Sequence, residues 1–367
     1  LESLPTDGER QERLARGKSF TPPELAVITS YVKGVLKEEL AESPILDEPY
    51  LKKEMQVAFP PSLVRKYGAE LDGHRLRREL VATQIANGMV NRMGANFVGR
   101  VSESAGADSG LIAKAYVASR DIFRMDKYWD DICALDDSID PAVQKELMLN
   151  VIRLIRRSTR WLLRNRRQSF SLDEEVPRFG KAVSSLFNDW GNLLQGAALE
   201  EWEEYRQRLQ DQGVGHELAS FVAAAHHLYA VLGIVEASQR TSRTLKKVAH
   251  IYFTVGEHLQ LHWFSRQMHD YEASSQWQAL ARETLQDDLN WQQVAITLGV
   301  ISENGGRNSV DKMVDHWIER HQALVDRWMS LQSEMKASGI KDTAIFTVAI
   351  RELLDLAQSS RGVRARF

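Results

Sequence analysis

Cys133 is the only cysteine among the 367 residues, which excludes an internal disulfide framework and a multi-cysteine metal site and suits a reducing compartment. No apolar run reaches the roughly 18 residues that a membrane span needs, and no signal-peptide pattern opens the chain. A gathered set of glycines is missing too. The nearest dinucleotide-binding candidate, Gly213-Val214-Gly215, runs into His216, Glu217 and Leu218 with no third glycine and no strand before it. Gly305-Gly306 stands alone in a loop, and there is neither a P-loop lysine nor a nucleophile elbow. An excess of charge is likewise absent: 47 Lys+Arg against 50 Asp+Glu leave a net charge of -3, which points to no polyanionic partner.

What is present is an ordinary globular composition, 43% hydrophobic and 26% charged, in a chain long enough for two or three domains. No run alternates with period two between turn dipeptides, so strands are not expected, and no internal repeat is strong enough for a solenoid. The expected fold is all-α, an array of helix bundles without significant sheet. The chain starts at Leu1 rather than at methionine, so we expect a piece of something longer, with the polar residues 1–20 as a linker from an upstream domain. Polar residues Gln168 to Asp173, with a new start signal in SLDEE, suggest subdomains 21–168 and 169–367.

Helix signals are frequent. Thr21, Pro22, Pro23 and Glu24 supply a hydroxyl cap, a first-turn proline and the carboxylate of a capping box, for a helix reaching about Ala41. Asp47 is expected to cap a short helix ending at Phe59 before Pro60 and Pro61, and a second short helix leads to Gly68. From His74 onward, Leu76, Leu80, Ile85, Met89 and Val90 mark one buried helix face. Thr83, Gln84, Asn87, Asn91 and Arg92 are mixed into that face. Side chains with several donors and acceptors are costly to bury unless paired, so this set reads as a structural network joining helices, with a ligand site as the sharper alternative.

Further helices are expected from Asp108 or Ser109, over Met125–Leu135 and over Pro141–Asn165. In the last of these, Arg153, Arg156, Arg157, Arg160, Arg164 and Arg167 fall within an arc of roughly 100°. This guanidinium ridge suits docking against carboxylates, in this chain or a neighbour, better than nucleic acid, for which no RNP, KH or zinc-finger pattern exists. Glu200, Glu201, Glu203 and Glu204 are a candidate counterpart. In the second half, helices are readable at 176–195, 197–212, 216–237, 244–252, 256–268, 274–299, 309–338 and 341–358.

Three constellations invite chemistry. His258 and His262 are four apart and would share a helix face near Glu257 and His269, but Leu259 stands where a zinc-protease helix has glutamate; they read as solvated or core-edge histidines. His226 and His227 are adjacent, so their rings diverge by about 100° and chelate poorly. Carboxylate pairs at Glu200–Glu204 and Asp287-Asp288 read as solvated helix faces rather than a glycosidase pair. Cys133, between Ile132 and Ala134, reads as core packing.

A resemblance adds to this. The order RREL-AT--AN--VNR-G--FV-R followed by AKAYV-SR is similar to the C-terminal helical region of the large bacterial NAD-specific glutamate dehydrogenases. It extends upstream through TPPELAVITSYVKGVLKEEL and DEPYLKKEM-VAFPPSLV, and downstream through STRWLLRNRR, GIVEASQRT, VAHIYFTVGE-L-L-WF and WQALARETLQDDL, over nearly the whole chain. The resemblance implies a cytoplasmic parent that oxidises L-glutamate to 2-oxoglutarate and ammonium with NAD, the chemistry lying in a region before this one. It implies no catalytic, cofactor-binding or metal residue here, and as partners the catalytic domain of the same polypeptide and further copies of the parent, with no nucleic acid and no membrane. Helix faces at the arginine ridge, Trp161 and Trp190 are the surfaces expected to meet those partners. A free-standing helical adaptor or protein-interaction module is the alternative.

Overall fold

The computed structural model describes residues 4–166, 170–304, 309–339 and 341–360. Among them are twenty α-helices, two short 3-10 turns and no strand, so the protein is all-α. Among the described residues no single helix is long and apolar enough to cross a membrane; a bent pair, His216–Leu228 with Ala230–Thr241, passes on length and composition together. The chain divides into two units, residues 1–121 with 162–176 and residues 122–161 with 177–367. The expected boundary at 168/169, Arg167 of the ridge and the Gly305-Gly306 loop all lie outside the described residues.

In the first unit, the helix Pro22–Glu42 begins with the expected box: the Thr21 hydroxyl accepts from the Glu24 backbone and the Glu24 carboxylate accepts from the Thr21 N–H at 2.7 Å. The polar residues expected as a linker hold a helix. A second capping box at Thr6 and Glu9 starts the helix Asp7–Ala15, and Arg13 reaches Glu24 at 2.9 Å. That helix buries no residue, which is why no apolar stripe announced it. Asp47 caps nothing. Pro49 opens the expected helix as a 3-10 turn, Pro49–Leu51, before the short helix Lys52–Val57; another 3-10 turn, Pro44–Asp47, precedes it, and Asp47 accepts from Arg78. The helix Pro61–Asp72 passes through Gly68 with a kink at Tyr67.

The long helix of this unit spans Arg77–Met93 and packs on Pro22–Glu42 and Lys52–Val57. Its buried face is Val81, Ala82, Ile85, Ala86, Met89, Val90 and Met93, whereas Leu76, outside the helix at its N-cap, is 51% exposed. A buried charge cluster that periodicity did not announce stands beside it: Arg120 donates to Glu54 and Asp121, and Asp121 also accepts from Lys53 and, at 2.9 Å, from the Tyr50 hydroxyl.

The second unit is organised around one long helix, Gln276–Asn304. Against it pack Ala230–Thr241, Leu245–His258, Leu261–His269, Val310–Arg320 and Thr343–Ser359. Two neighbours approach through glycine. A Cβ on Gly256 would lie 2.7 Å from Gln293 Nε2, and one on Gly233 would lie 2.8 Å from Val294 Cγ2. Four expected helices are broken. Residues 176–195 divide at Asn188-Asp189, residues 216–237 divide at Tyr229, residues 309–338 divide at His321, and the expected gap near 253–255 moves to Leu259-Gln260, where Gln260 takes φ +49°.

Candidate functional site

The central helix of the second unit carries polar residues at three- and four-residue steps: Glu283, Gln286, Asp287, Asn290, Gln293 and Thr297. From Gln286 on all are buried, and Glu283 is nearly so. A polar stripe inside a core must find partners, and it does. Tyr252 donates its hydroxyl to Asn290 at 2.9 Å, Gln293 donates to the Tyr252 carbonyl at 2.9 Å, and Arg160 donates to Asp287 at 2.9 Å and to Glu283 at 2.5 Å.

The arginine ridge on Pro141–Asn165 is therefore largely internal. Arg160 is 2% exposed, and Arg156 lies 3.7 Å from Glu283. Arg157 stacks 3.6 Å over the Tyr229 ring and donates to the His226 carbonyl at 3.2 Å, leaving its buried Nε without a partner. Arg153 is exposed and makes no hydrogen bond or ion pair among the described residues. Arg164 is half-buried and belongs to the first unit's share of the helix. The ridge's counterpart is Glu283 and Asp287, not the glutamates at 200–204. Of those, Glu200, Glu203 and Glu204 are exposed, and Glu201 pairs with His262 and with Arg266 at 3.2 Å. Asp287, read as solvated, is buried because helix 141–165 lays a guanidinium across it.

Four histidines meet beside this ion pair. Ring centroids are 5.1 Å apart for His227 and His262, 5.0 Å for His226 and His227, and 5.3 Å for His226 and His269. The adjacent rings of His226 and His227 do diverge, with 85° between planes, but each finds a second histidine on Leu261–His269. Sequence reasoning missed this because the break at Gln260 removes the shared face of His258 and His262; His258 instead lies 3.6 Å from Asp315. Among the described residues no group of three or more His, Cys, Asp or Glu converges on a metal position.

Burial sets the charge state of the row. It drives His226 well below the ordinary imidazole range, with His227, Arg157 and His269 adding repulsion, and it pushes His227 down to about 3. Burial and then Arg153 lower His269. Glu201 is held below the carboxylate range by its hydrogen bond from His262. At neutral pH these imidazoles, His226, His227 and His269, are uncharged. Three cavities of about 60, 80 and 170 Å³ adjoin the row, and His226 lines all of them.

The other residues singled out earlier lie elsewhere. On Arg77–Met93, Asn87 and Arg92 are half-buried and Asn91 is exposed, while Thr83 bonds back to the Glu79 carbonyl at 2.6 Å. The Trp161 and Trp190 indoles are 7% and 2% exposed, edge-on to Phe179 and Phe253. Cys133 is exposed, the core position being taken by Ile132.

Fold and site together define a helical protein with a buried polar layer of arginine, histidine and carboxylate, and no strand-borne nucleotide cradle among the described residues. Residues 17–355 match the family described as glutamate dehydrogenase, C-terminal, and the chain belongs to that family. It is 43% identical over 361 residues to an NAD-specific glutamate dehydrogenase of Pseudomonas aeruginosa, and 41% identical over 360 residues to one of Halomonas elongata. To one of Mycobacterium tuberculosis it is 28% identical over 364 residues. These alignments cover 98%, 98% and 99% of this chain but 22% of each relative, so the chain spans about a fifth of their length.

Proposed function

We propose that the chain is the non-catalytic helical C-terminal region of an NAD-specific glutamate dehydrogenase. The whole polypeptide then converts L-glutamate, NAD and water to 2-oxoglutarate, ammonium and NADH in the cytoplasm, with NAD held in another part. The observation that carries this is the near-complete match of the chain to only 22% of relatives that bear that name. The all-helical architecture supports it, because a dinucleotide fold binds the pyrophosphate where a strand turns into a helix.

The role of the region is structural, oligomeric or regulatory, and its partners are the catalytic part of the same polypeptide and further copies of it. With Arg160, Trp161 and Trp190 committed to the interior, the ridge acts first as a fastening between helices 141–165 and 276–304. The test is an assay of the 367-residue chain for NADH formation from glutamate and NAD, beside the whole polypeptide. The whole polypeptide is expected to turn over and the chain alone to give none; turnover by the chain alone would sink the non-catalytic reading. A reading frame that starts within a few codons of Leu1 would instead make the chain a free-standing adaptor.

A further inference from the structure

One of the three cavities around His226 is short of negative charge. The cavity of about 80 Å³ is lined by five guanidinium groups, those of Arg153, Arg156, Arg157, Arg160 and Arg282, against two carboxylates, Glu283 and Asp287, an excess of three positive charges. Both carboxylates are already engaged by Arg160. The acids just outside redress this only in part. Glu146, which Arg153 also attracts, is held by Arg208 at 2.6 Å and by the Tyr205 hydroxyl at 2.7 Å, and Asp270 lies on the neighbouring cavity, where Arg266 pairs with Glu201 at 3.2 Å. Like charges gathered around a recess without compensation repel one another, so a counter-anion stabilises the arrangement.

The geometry suits a small anion rather than bulk water alone. A cavity needs only about 10–15 Å³ by the same measure to hold one water, so this one has room for an ion of several heavy atoms. Arg153 brings an exposed guanidinium with no hydrogen bond or ion pair among the described residues, and Arg157 keeps a buried Nε unpartnered. Arg282 is fixed by donating to the Tyr271 carbonyl at 2.8 Å, and the neutral His269 ring beside it can offer one N–H donor. Guanidinium forks match the paired oxygens of carboxylate and phosphate.

We propose that this cavity binds a small dianionic oxyanion, gripped by Arg153 and Arg282 at its lip and by Arg157 from within. The site is made from this chain's own residues and does not depend on the parent reaction, so its failure and the failure of the NAD-linked reading are separate results. The 367-residue chain is titrated calorimetrically with inorganic phosphate and, in a second arm, with succinate, ionic strength being held constant with chloride.

Saturable one-to-one binding of either probe is expected, weakened at least about tenfold by Arg153→Gln and by Arg282→Gln and unchanged by Arg327→Gln, a surface pair with Glu352. Arg153→Gln breaks no bond within the described fold, so an unchanged helical circular-dichroism spectrum is expected of it. Binding of both probes supports recognition of the double charge; binding of phosphate alone or of succinate alone supports the site and assigns its headgroup. No saturable binding up to about 10 mM of either probe, or binding that Arg153→Gln and Arg282→Gln leave untouched, overturns the proposal.

Discussion

A guanidinium that is 2% exposed has surrendered its water, and Arg160 recovers the loss only because Glu283 and Asp287 both face it. Removing it takes away the two-pronged partner that both carboxylates share, Arg156 staying 3.7 Å from Glu283. Arg160→Ala is expected to lower unfolding stability by about 3–5 kcal/mol, read as a fall in the urea midpoint, whereas Arg160→Lys, without a planar fork, should recover only part. The histidine row makes a second prediction at this scale. His226, His227 and His269 have folded values below the ordinary 6.5, so below that pH the unfolded chain binds more protons than the native one. Stability is therefore full above pH 6.5 and falls as the pH is lowered toward the depressed values. Between pH 6.5 and about 5 most carboxylates stay ionised, so the slope there reports chiefly the imidazoles; His227→Gln should flatten it, and an unchanged slope would remove the row from the account.

At the scale of elements, the arrangement depends on how closely helices approach the one at 276–304. Gly256 lets Leu245–His258 come near enough for Gln293 to reach the Tyr252 carbonyl. Gly256→Ala would place a methyl against Gln293 Nε2 and should cost about 1–3 kcal/mol, with loss of the Gln293 bond. Gly256→Ala combined with Gln293→Ala should then cost less than the two changes summed, since the clash disappears; strict additivity in urea melts would show that the approach is not what the glycine secures. The break at Gln260 matters as much. It turns Leu261–His269 so that His262 and His269 meet the histidines of His216–Leu228, while His258, four residues before His262, is carried away toward Asp315.

For the whole molecule, each unit has its own buried charge cluster, Arg120 with Glu54 and Asp121 in the first and Arg160 with Glu283 and Asp287 in the second. We expect urea unfolding of the chain to show two transitions, Glu54→Gln shifting one and Arg160→Ala the other; a single transition moved equally by both would mean that the units melt as one. On the proposed reading, in which the reaction lies in another part of a longer polypeptide, these same substitutions should alter that polypeptide's assembly or turnover only through the stability of this region.

The all-α class and the capping box at Thr21 could be read from the residues alone, because propensity and caps act within a few positions of the chain. The arginine arc was legible in the same way, as an angle around one helix. What faced it was not. Whether a charged stripe meets water or carboxylates depends on which helix lies across it, and Glu283 and Asp287 are over a hundred residues from Arg160. The histidine row was hidden for the same reason, its members lying on two helices and aligned by a left-handed Gln260 that no local rule demands. Local chemistry settled which segments coil; only their packing in three dimensions decided which polar groups are dry, paired and brought face to face.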